Sequence, residues 1–293
     1  MFTGTILLLG GTGKVASEIA PLLHPTYPVL LASRSGSSPD PAKYTGVKFD
    51  WDDKETWEST LSAGPTPVTS VWIVLPTAVD PAPLAREFID LAREKGALRF
   101  VLLSSSQLEE GVAAWGQVHQ YLRELGEKGN VEWAVLRPSW FQATAENFAT
   151  SEHHTKSITE ENKIYSAAGS GKIPWVATCD IAAVAHHALT APQAPNKEFL
   201  VLGSKLYTYN DLAEIFTKAL DRKIMHEELT EKELAARHNV FGIPQEYADV
   251  LASLDTVIKN GGEDRLNDVV FSVTGKKPRS FEEFVEKNKG VWQ

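Results

Sequence analysis

The chain of 293 residues has one cysteine and no long apolar stretch. Because a disulfide needs two cysteines, Cys179 alone excludes an intramolecular one, and it also disfavours a cysteine-based metal site. No window approaches the roughly 18 uninterrupted apolar residues of a membrane span, and no basic leader with a cleavage site precedes the apolar run Thr5–Leu9. We therefore expect a cytoplasmic protein with no bound metal and no membrane partner.

Clustered positive charge is also missing. The 29 Lys and Arg residues are outnumbered by 38 Asp and Glu residues, which gives a net charge of -9. Binding to a phosphate backbone depends on clustered cations and counterion release, so we expect no nucleic-acid partner. A content of 43% hydrophobic and 23% charged residues is ordinary for a globular protein and excludes disordered and fibrous chains.

Short apolar runs alternate with amphipathic segments in the first half of the chain, a pattern that predicts βαβ units on a parallel sheet. Six strands are predicted at Thr5–Leu9, Val29–Ala32, Val47–Phe49, Val71–Leu75, Phe100–Leu103 and Trp133–Leu136. The first helix is predicted from an apolar stripe at Val15, Ile19, Leu22 and Leu23. We expect an α/β protein with an NAD(P)-binding Rossmann fold, a doubly wound parallel sheet and a smaller α-rich C-terminal substrate lobe.

The pattern loosens after Pro138, and a polar stretch covers residues 151–163. We therefore predict a core over residues 1–150 and, over 151–293, a mixed segment that completes the core and forms a small substrate-binding lobe. Asp180 precedes a helical run and is predicted to cap it. Further elements are predicted as a strand at Phe199–Leu202 and helices from Tyr209, over Leu229–His238 and over Pro278–Asn288.

A glycine-rich turn joins the first strand to the first helix. Its pattern, Gly10-x-x-Gly13-x-x-Ala16, is a variant of the dinucleotide fingerprint, in which glycines permit a tight turn and a close approach of the pyrophosphate. The helix N-terminus adds N–H groups and a partial positive charge. A triphosphatase loop is excluded, because Leu8 stands where its first glycine should be. Predicted cofactor contacts here are Gly10, Thr12, Gly13, Lys14 and Val15.

The end of the second strand predicts which dinucleotide binds. An acidic residue there would bind a ribose 2′-hydroxyl, whereas this chain has Arg34 between Ser33 and Ser35. An arginine flanked by hydroxyls suits a 2′-phosphate, so NADP(H) is favoured over NAD(H). After the third strand, Asp50 is predicted either to bind the adenine amino group or to cap the next helix.

Several segments together resemble the NmrA-like atypical short-chain dehydrogenases/reductases. They are Gly10–Ala16, Arg34, Asp50–Trp51, Leu75–Pro76, Phe100–Ser106 and Arg137–Pro138. A narrower resemblance, to the fungal festuclavine synthase/agroclavine dehydrogenase group of ergot alkaloid reductases, is carried by Leu7–Gly11, Gly116–Leu122, Gly171–Pro174 and Asn260–Asp268. The resemblance implies NADPH-dependent hydride delivery to an iminium carbon in an indole alkaloid, and cofactor contacts at Trp51, Leu75, Pro76 and Ser104.

The proton-donating pair of ordinary family members is missing. Those enzymes use a Tyr-x-x-x-Lys pair to protonate the alkoxide that forms when a carbonyl is reduced. Alignment of the helix through Val118 puts Gly111 and Trp115 at those two positions. Hydride addition to a cationic iminium gives a neutral amine and needs no proton donor, so the loss agrees with that substrate.

Candidate groups on the substrate side follow the fifth and sixth strands, since ligands bind at the carboxyl ends of strands in open α/β sheets. Ser106 is predicted to contact the nicotinamide or substrate, or else to cap the loop, and His119 either to face the cleft or to be structural. Aromatic faces can hold an indole or a cation, or can pack in the core. The residues predicted as this wall are Trp140, Phe141 and Asn147.

Together with the residues above, the resemblance implies an NADP-dependent oxidoreductase that reduces a C=N group of a small, cationic, indole-type amine in fungal secondary metabolism. Two other functions remain open. The chain can be a dinucleotide-sensing regulator like NmrA, which does no chemistry, or a non-redox isomerase or cyclase on the same scaffold. We expect a monomer or a homodimer.

Overall fold

The computed structural model describes residues 4–76, 78, 80–112, 114–142 and 152–293. Nine strands lie in this part of the chain: β1 (Thr5–Leu9), β2 (Val29–Ser33), β3 (Thr45–Lys48), β4 (Val68–Ile73), β5 (Arg99–Leu103), β6 (Glu132–Pro138), β7 (Lys163–Ser166), β8 (Lys197–Val201) and β9 (Met225–Glu228). Seven of them form one parallel sheet in the order β3-β2-β1-β4-β5-β6-β8. This is the strand order of a doubly wound Rossmann fold, and the predicted fold class is confirmed.

The α-helices of the described residues separate most of these strands. They are α1 (Ala16–Leu23), α2 (Glu55–Leu61), α3 (Ala82–Glu94), α4 (Trp115–Glu127), α5 (Glu152–Lys156), α6 (Thr178–Thr190), α7 (Tyr209–Leu220), α8 (Glu231–Val240), α9 (Gln245–Lys259), α10 (Val269–Thr274) and α11 (Phe281–Asn288). None of the helices in the described residues has the length and apolar character needed to cross a membrane.

The central strands of the large sheet are buried on both faces. In β1, Leu7 and Leu9 pack into a cluster with side chains of α2, α3 and α4. Ile6 and Leu8 point to the opposite face and are buried as well, and α1 contacts β1. Helices therefore cover both faces, as a parallel sheet requires.

The chain divides into two compact units. The first contains Met1–Pro138 and Ile181–Val201, and the second contains Ser139–Asp180 and Leu202–Gln293. The sequence predicts a core over residues 1–150 that part of residues 151–293 completes. In the structure the first unit ends earlier, at Pro138, and also contains Ile181–Val201, because β8 pairs with β6 over five residues and so completes the sheet.

The second unit has its own sheet and core. Strands β7 and β9 pair in parallel, which the sequence pattern did not predict. The core beside them is aromatic, with ring centroids 4.9 to 6.0 Å apart. Its rings belong to Trp175, Phe216, Phe281, Phe284 and Trp292. Contacts of this geometry stabilise a core beyond simple burial.

Two local predictions are wrong. Leu22 was assigned to the buried stripe of α1, but its side chain is 46% exposed, and Ala20 is buried instead. Asp180 does not cap α6, because the helix begins at Thr178 and Asp180 lies within its first turn. Its carboxylate instead accepts the backbone N–H of Arg279 at 2.8 Å.

Candidate functional site

The turn after β1 lies where the sheet order reverses, between β1 and β4, which is where open α/β sheets bind ligands. Gly10 has a φ of +63°, a left-handed conformation that glycine adopts at little cost. The N–H of Gly13 donates to the Gly10 carbonyl at 2.7 Å, and the N–H of Gly11 donates to the Ala32 carbonyl of β2 at 2.8 Å. These two bonds close the turn and hold it against the sheet.

Side chains cannot replace the hydrogens of the inner glycines. A Cβ on Gly11 would lie 2.6 Å from the Cα of Leu31, and a Cβ on Gly13 would lie 2.9 Å from the Gly10 carbonyl oxygen. Ala16 is buried where α1 starts, as the fingerprint predicts. The turn therefore exposes backbone at Gly10, Thr12 and Gly13 rather than bulky side chains.

The N-terminus of α1 is suited to an anion. Its N-cap residue, Val15, is buried and makes no side-chain capping bond. The first N–H groups of a helix and its dipole favour a negative group at this end. Lys14, which is half-buried, precedes the cap. One turn therefore carries Gly10, Thr12, Gly13, Lys14 and Val15, and their contact with a cofactor stays a prediction.

Arg34 stands in the turn directly after β2 and is exposed. Serine hydroxyls surround it along the chain: the Oγ atoms of Ser33 and Ser35 lie 3.2 Å apart, and those of Ser35 and Ser37 lie 2.7 Å apart. One cation beside three hydroxyls matches the acceptors of a phosphate.

The nearby carboxylates form ion pairs with lysines and not with Arg34. Asp40 pairs with Lys43 at 2.8 Å, and Asp53 pairs with Lys48 at 3.6 Å. Within the described ranges, none of the ion pairs involves Arg34. The guanidinium is therefore available to an anionic ligand.

Asp50 follows β3 and does not cap the next helix. The N-cap of α2 is Lys54, which makes no side-chain capping bond. The Asp50 carboxylate instead accepts the N–H of Asp52 at 3.1 Å, which closes a tight turn. Of the two interpretations offered by the sequence, the helix cap is wrong, and contact with an adenine stays a prediction.

Trp51 connects the loops that follow β3 and β4. Its Nε1–H donates to the carbonyl of Val74 at 3.2 Å. Its ring meets those of Phe49, Trp57 and Phe88 edge-on, at centroid distances of 5.1 to 6.0 Å. The side chain is therefore held by the core, and it fixes the position of the strand ends.

Two serines and a Leu-Pro pair follow the carboxyl ends of β5 and β4. Leu75 is buried and Pro76 half-buried. The N–H groups of Ser104 and Ser106 donate to carbonyls of β6 at 2.7 and 2.9 Å, and both serines are buried. The Oγ of Ser104 has no hydrogen-bond partner among the described residues. A buried hydroxyl without a partner is costly, and a ligand at this strand end would satisfy it.

Arg137, at the end of β6, holds this serine loop in place. Its guanidinium donates to the carbonyls of Ser105 and Ser106 at 3.3 and 3.0 Å and pairs with Glu109 and Glu198. The sequence noted Arg137 only as part of a family motif. A buried arginine at the end of an apolar strand signals a specific partner, and that signal could have identified its positioning role.

The structure of α4 agrees with the absence of a proton-donating pair. Gly111 lies before the helix with a φ of +80°, and Trp115 is its first residue. The tyrosine that α4 does carry, Tyr121, donates its hydroxyl to Asp90 at 2.6 Å. Burial and this carboxylate raise the pKa of Tyr121 to about 12, which makes it a poor acid.

His119 lies elsewhere on the first unit. Its ring is 2% exposed, packs 5.7 Å from that of Trp133 on β6, and has its Nδ1 3.9 Å from the Oε2 of Glu198 on β8. Burial lowers the pKa of the imidazole, although Glu198 acts in the opposite direction. The histidine is therefore neutral at pH 7 and sits at the β6 and β8 side of the sheet, whereas the glycine turn follows β1.

The predicted aromatic wall belongs to the second unit. Trp140 is half-buried and packs on that unit's core, 6.2 Å from the ring of Trp175. Phe141 is half-buried and forms a backbone bridge with Val176. Asn147 lies outside the described residues. The structure supports core packing for Trp140, whose ring is partly buried. Contact of Trp140 or Phe141 with a substrate stays a prediction.

Comparisons with known proteins cover almost the whole chain. A family model described as NmrA-like matches residues 3–285. The agroclavine dehydrogenase of Claviceps fusiformis is 45% identical over 292 residues, which are 98% of each chain. The festuclavine synthase II of Penicillium roqueforti is 42% identical over 294 residues, covering 98% of this chain and 99% of that protein.

Solved structures share the fold at lower identity. A triphenylmethane reductase from a Citrobacter species, complexed with NADP(H), superposes with a TM-score of 0.79 at 18% identity. The match covers 98% of this chain and 100% of that one. At this identity the likeness shows the fold alone.

Proposed function

Because the chain belongs to the NmrA-like family, we propose that it is an NADP(H)-dependent reductase that delivers hydride to the iminium carbon of a cationic indole-type amine. The extent of its similarity to an agroclavine dehydrogenase and a festuclavine synthase supports this assignment. The observation that carries it is the combination of a dinucleotide turn with Arg34 and a helix α4 that lacks a proton-donating tyrosine.

The described residues fit NADP(H). The glycine turn and the uncapped start of α1 suit the pyrophosphate. Arg34, with the hydroxyls of Ser33 and Ser35, would bind the 2′-phosphate. Leu75, Pro76 and the buried hydroxyl of Ser104 would lie along the path to the nicotinamide, and Asp50 would accept from the adenine amino group.

The chemistry requires little from acidic or basic side chains. Bound NADPH would supply the hydride, and hydride addition to an iminium carbon would give a neutral amine without any proton transfer. A ketone would instead need a proton for its alkoxide. Since Tyr121 is bound to Asp90, α4 supplies no such donor. The protein's contribution is to orient the two reactants and exclude water.

Ser104 and Ser106 are the residues we assign to the reacting centre, because they follow β5 and are both buried. Arg137 keeps their loop rigid. His119 has no role in this assignment, since its ring lies beside Glu198 and Trp133. Trp140 and Phe141 remain proposed contacts for the indole.

The direct test measures oxidation of NADPH by absorbance with a panel of indole iminium ions, each paired with the matching ketone. We expect turnover of iminium ions and none of ketones. Reduction of the ketones alone would contradict the assignment. Tight NADPH binding with no turnover of any substrate would instead favour a dinucleotide-sensing regulator, and product formation with unchanged NADPH would favour an isomerase or cyclase.

A further inference from the structure

A cleft opens on the first unit, between α4 and the start of β8. Its volume is about 600 Å³, which is within the usual range for sites that bind small molecules. Side chains of α4, β6 and β8 line it, among them His119, Trp133 and Glu198. No residue of the glycine turn and none of Ser104, Ser105 and Ser106 takes part in its described lining, to which the loop after β5 contributes Glu109 and Glu110.

The histidine of this cleft has an unsatisfied nitrogen. His119 is 2% exposed, and its Nδ1 has no hydrogen-bond partner among the described residues. A buried polar atom of this kind costs free energy unless something pairs with it. Because the ring is neutral at pH 7, Nδ1 accepts a hydrogen bond in the tautomer that carries the proton on Nε2.

The distance from this nitrogen to the nearest carboxylate indicates what can pair with it. Nδ1 of His119 and Oε2 of Glu198 are 3.9 Å apart, which is too far for a direct hydrogen bond. A single ammonium nitrogen about 2.8 Å from each would donate to both with reasonable angles. Arg137 already donates to that carboxylate oxygen, which has the capacity to accept a second bond.

The surrounding charge is negative by one unit, which favours a cation over an anion. Four glutamates line the cleft with Arg123 and Lys197, and Arg137, outside the described lining, pairs with Glu109 and Glu198, so four negative charges face three positive ones. Arg123 is paired with Glu110 and Glu127, and the ammonium of Lys197 lies 4.9 Å from the ring of Phe199. A metal ion is disfavoured, because the described residues contain no cluster of three or more His, Cys, Asp or Glu placed to bind one.

We infer that this cleft is a second small-molecule site that binds a protonated aromatic amine, with the ammonium between His119 and Glu198 and the aromatic part against Trp133. Trp133 offers an apolar wall, and its ring already packs against that of His119. The site belongs wholly to the first unit and does not depend on the reductase assignment. It would let an amine bind without entering the proposed reacting centre.

The test uses the full chain with ¹⁵N-labelled histidine, titrated with 2-phenylethylamine at pH 7.5. The eight histidines give few signals, and the one that is absent from a His119→Phe variant identifies His119. We expect its Nδ1 resonance to shift saturably with the amine and not with 2-phenylethanol or 3-phenylpropanoate. No saturable shift, equal binding of the alcohol, or tighter binding of the carboxylate would each overturn the proposal.

Two variants test which side chains contribute to amine binding, with the affinity measured by calorimetry. His119→Phe keeps a ring against Trp133 and removes the acceptor, and Glu198→Gln removes the charge while its amide oxygen can still accept from Arg137. Each should weaken amine binding about tenfold, the usual loss for one charge-assisted hydrogen bond. The control is His187→Phe at an exposed position of α6, which should leave the affinity unchanged. Unchanged affinity in both cleft variants would contradict the assigned contacts. If His119→Phe fails to fold, His119→Gln supplies the resonance assignment and Glu198→Gln tests the contacts.

Discussion

Single side chains at strand ends carry distinct physical tasks in this protein. Gly11 acts through the absence of a side chain, because its Cα faces the backbone of Leu31. Arg34 acts through charge at an exposed turn where Ser33 and Ser35 add hydroxyls. Ser104 acts through an unsatisfied hydroxyl buried after β5. Each of these contributions depends on where the residue lies, because a glycine, an arginine or a serine on another part of the surface would not have it.

Arg34→Glu tests the assignment of the 2′-phosphate. Replacing the cation by a carboxylate removes a charge-assisted contact and adds repulsion, so NADPH should bind about 10- to 100-fold more weakly while NADH binding is retained. Titration of both dinucleotides by fluorescence measures this. Lys232→Glu, at an exposed position of α8, changes the net charge equally and should change neither affinity. Equal NADPH affinity before and after Arg34→Glu would rule out the assignment.

Asp255 is predicted to make stability depend on pH. This carboxyl of α9 is 5% exposed and accepts the N–H of Ala167 at 2.7 Å. Burial raises its pKa from 3.8 to about 7. Between these two pKa values the Asp255 carboxyl is protonated in the native state and ionised in the unfolded chain, so raising the pH favours unfolding. The contribution of this carboxyl to the free energy of unfolding is therefore fully present below pH 3.8 and is lost as the pH rises through about 7.

Asp255→Asn should remove that dependence, because the amide oxygen can still accept from Ala167. The original chain should lose on the order of 2 kcal/mol of unfolding free energy between pH 5 and pH 8, and the variant should lose less. Urea unfolding at both pH values measures the difference. Asp249→Asn, at an exposed position of the same helix, is the matched control. An identical pH dependence in Asp255→Asn and the original chain would contradict the prediction.

At the scale of elements, the site depends on strands whose positions are held from both sides. β2 pairs with β1 and with β3, so its backbone cannot move away from the glycine turn. β6 pairs with β5 and β8, and its last residues hold the serine loop through Arg137. Turns attached to such strands are preorganised, which favours binding because little order has to be gained.

Gly11→Ala tests this rigidity. The new methyl group would lie 2.6 Å from the Cα of Leu31, and neither backbone can yield without breaking sheet hydrogen bonds. We expect a loss of about 1 to 3 kcal/mol of unfolding free energy together with weaker NADPH binding. Denaturant unfolding and dinucleotide titration measure the two effects. Gly290→Ala adds a methyl group where nothing lies within 4 Å and should be neutral. Full stability in Gly11→Ala would show that the turn has room to adapt.

For the whole molecule, the net charge of -9 is compatible with an anionic cofactor. Charges beyond about 8 Å are largely screened at physiological ionic strength, so Arg34 and the start of α1 act locally. At low ionic strength, where screening is weak, the acidic surplus acts at longer range and favours the approach of a cation.

The proposed substrate charge predicts a response to salt. With NADPH saturating, the KM for an iminium ion should rise as sodium chloride is increased to about 0.15 M, because screening removes the long-range attraction. Initial rates at several salt concentrations measure this. A KM for the iminium that does not respond to salt would contradict an electrostatic contribution.

Much of the core could be predicted because its signals are local. The run Thr5–Leu9 matches β1 residue for residue, and the other predicted strands of the large sheet overlap the observed ones, with shifts at their ends. The small sheet of β7 and β9 was missed, since four-residue strands with mixed polarity give little periodicity. Leu22 was misplaced because the buried face of α1 is centred on Ala16, Ile19, Ala20 and Leu23, and Asp180 was misplaced because α6 begins two residues before it, at Thr178.

The sequence by itself determined the alternation of strands and helices, the glycine turn and the position of Arg34, because periodicity and turn chemistry act between neighbours in the chain. Only the tertiary structure decided which distant side chains meet. The pairing of β8 with β6 brings Glu198 beside His119 and Arg137, and the packing of the second unit brings Asp180 to Arg279. Such contacts follow from strand order and long-range packing, and no local pattern in the chain encodes them.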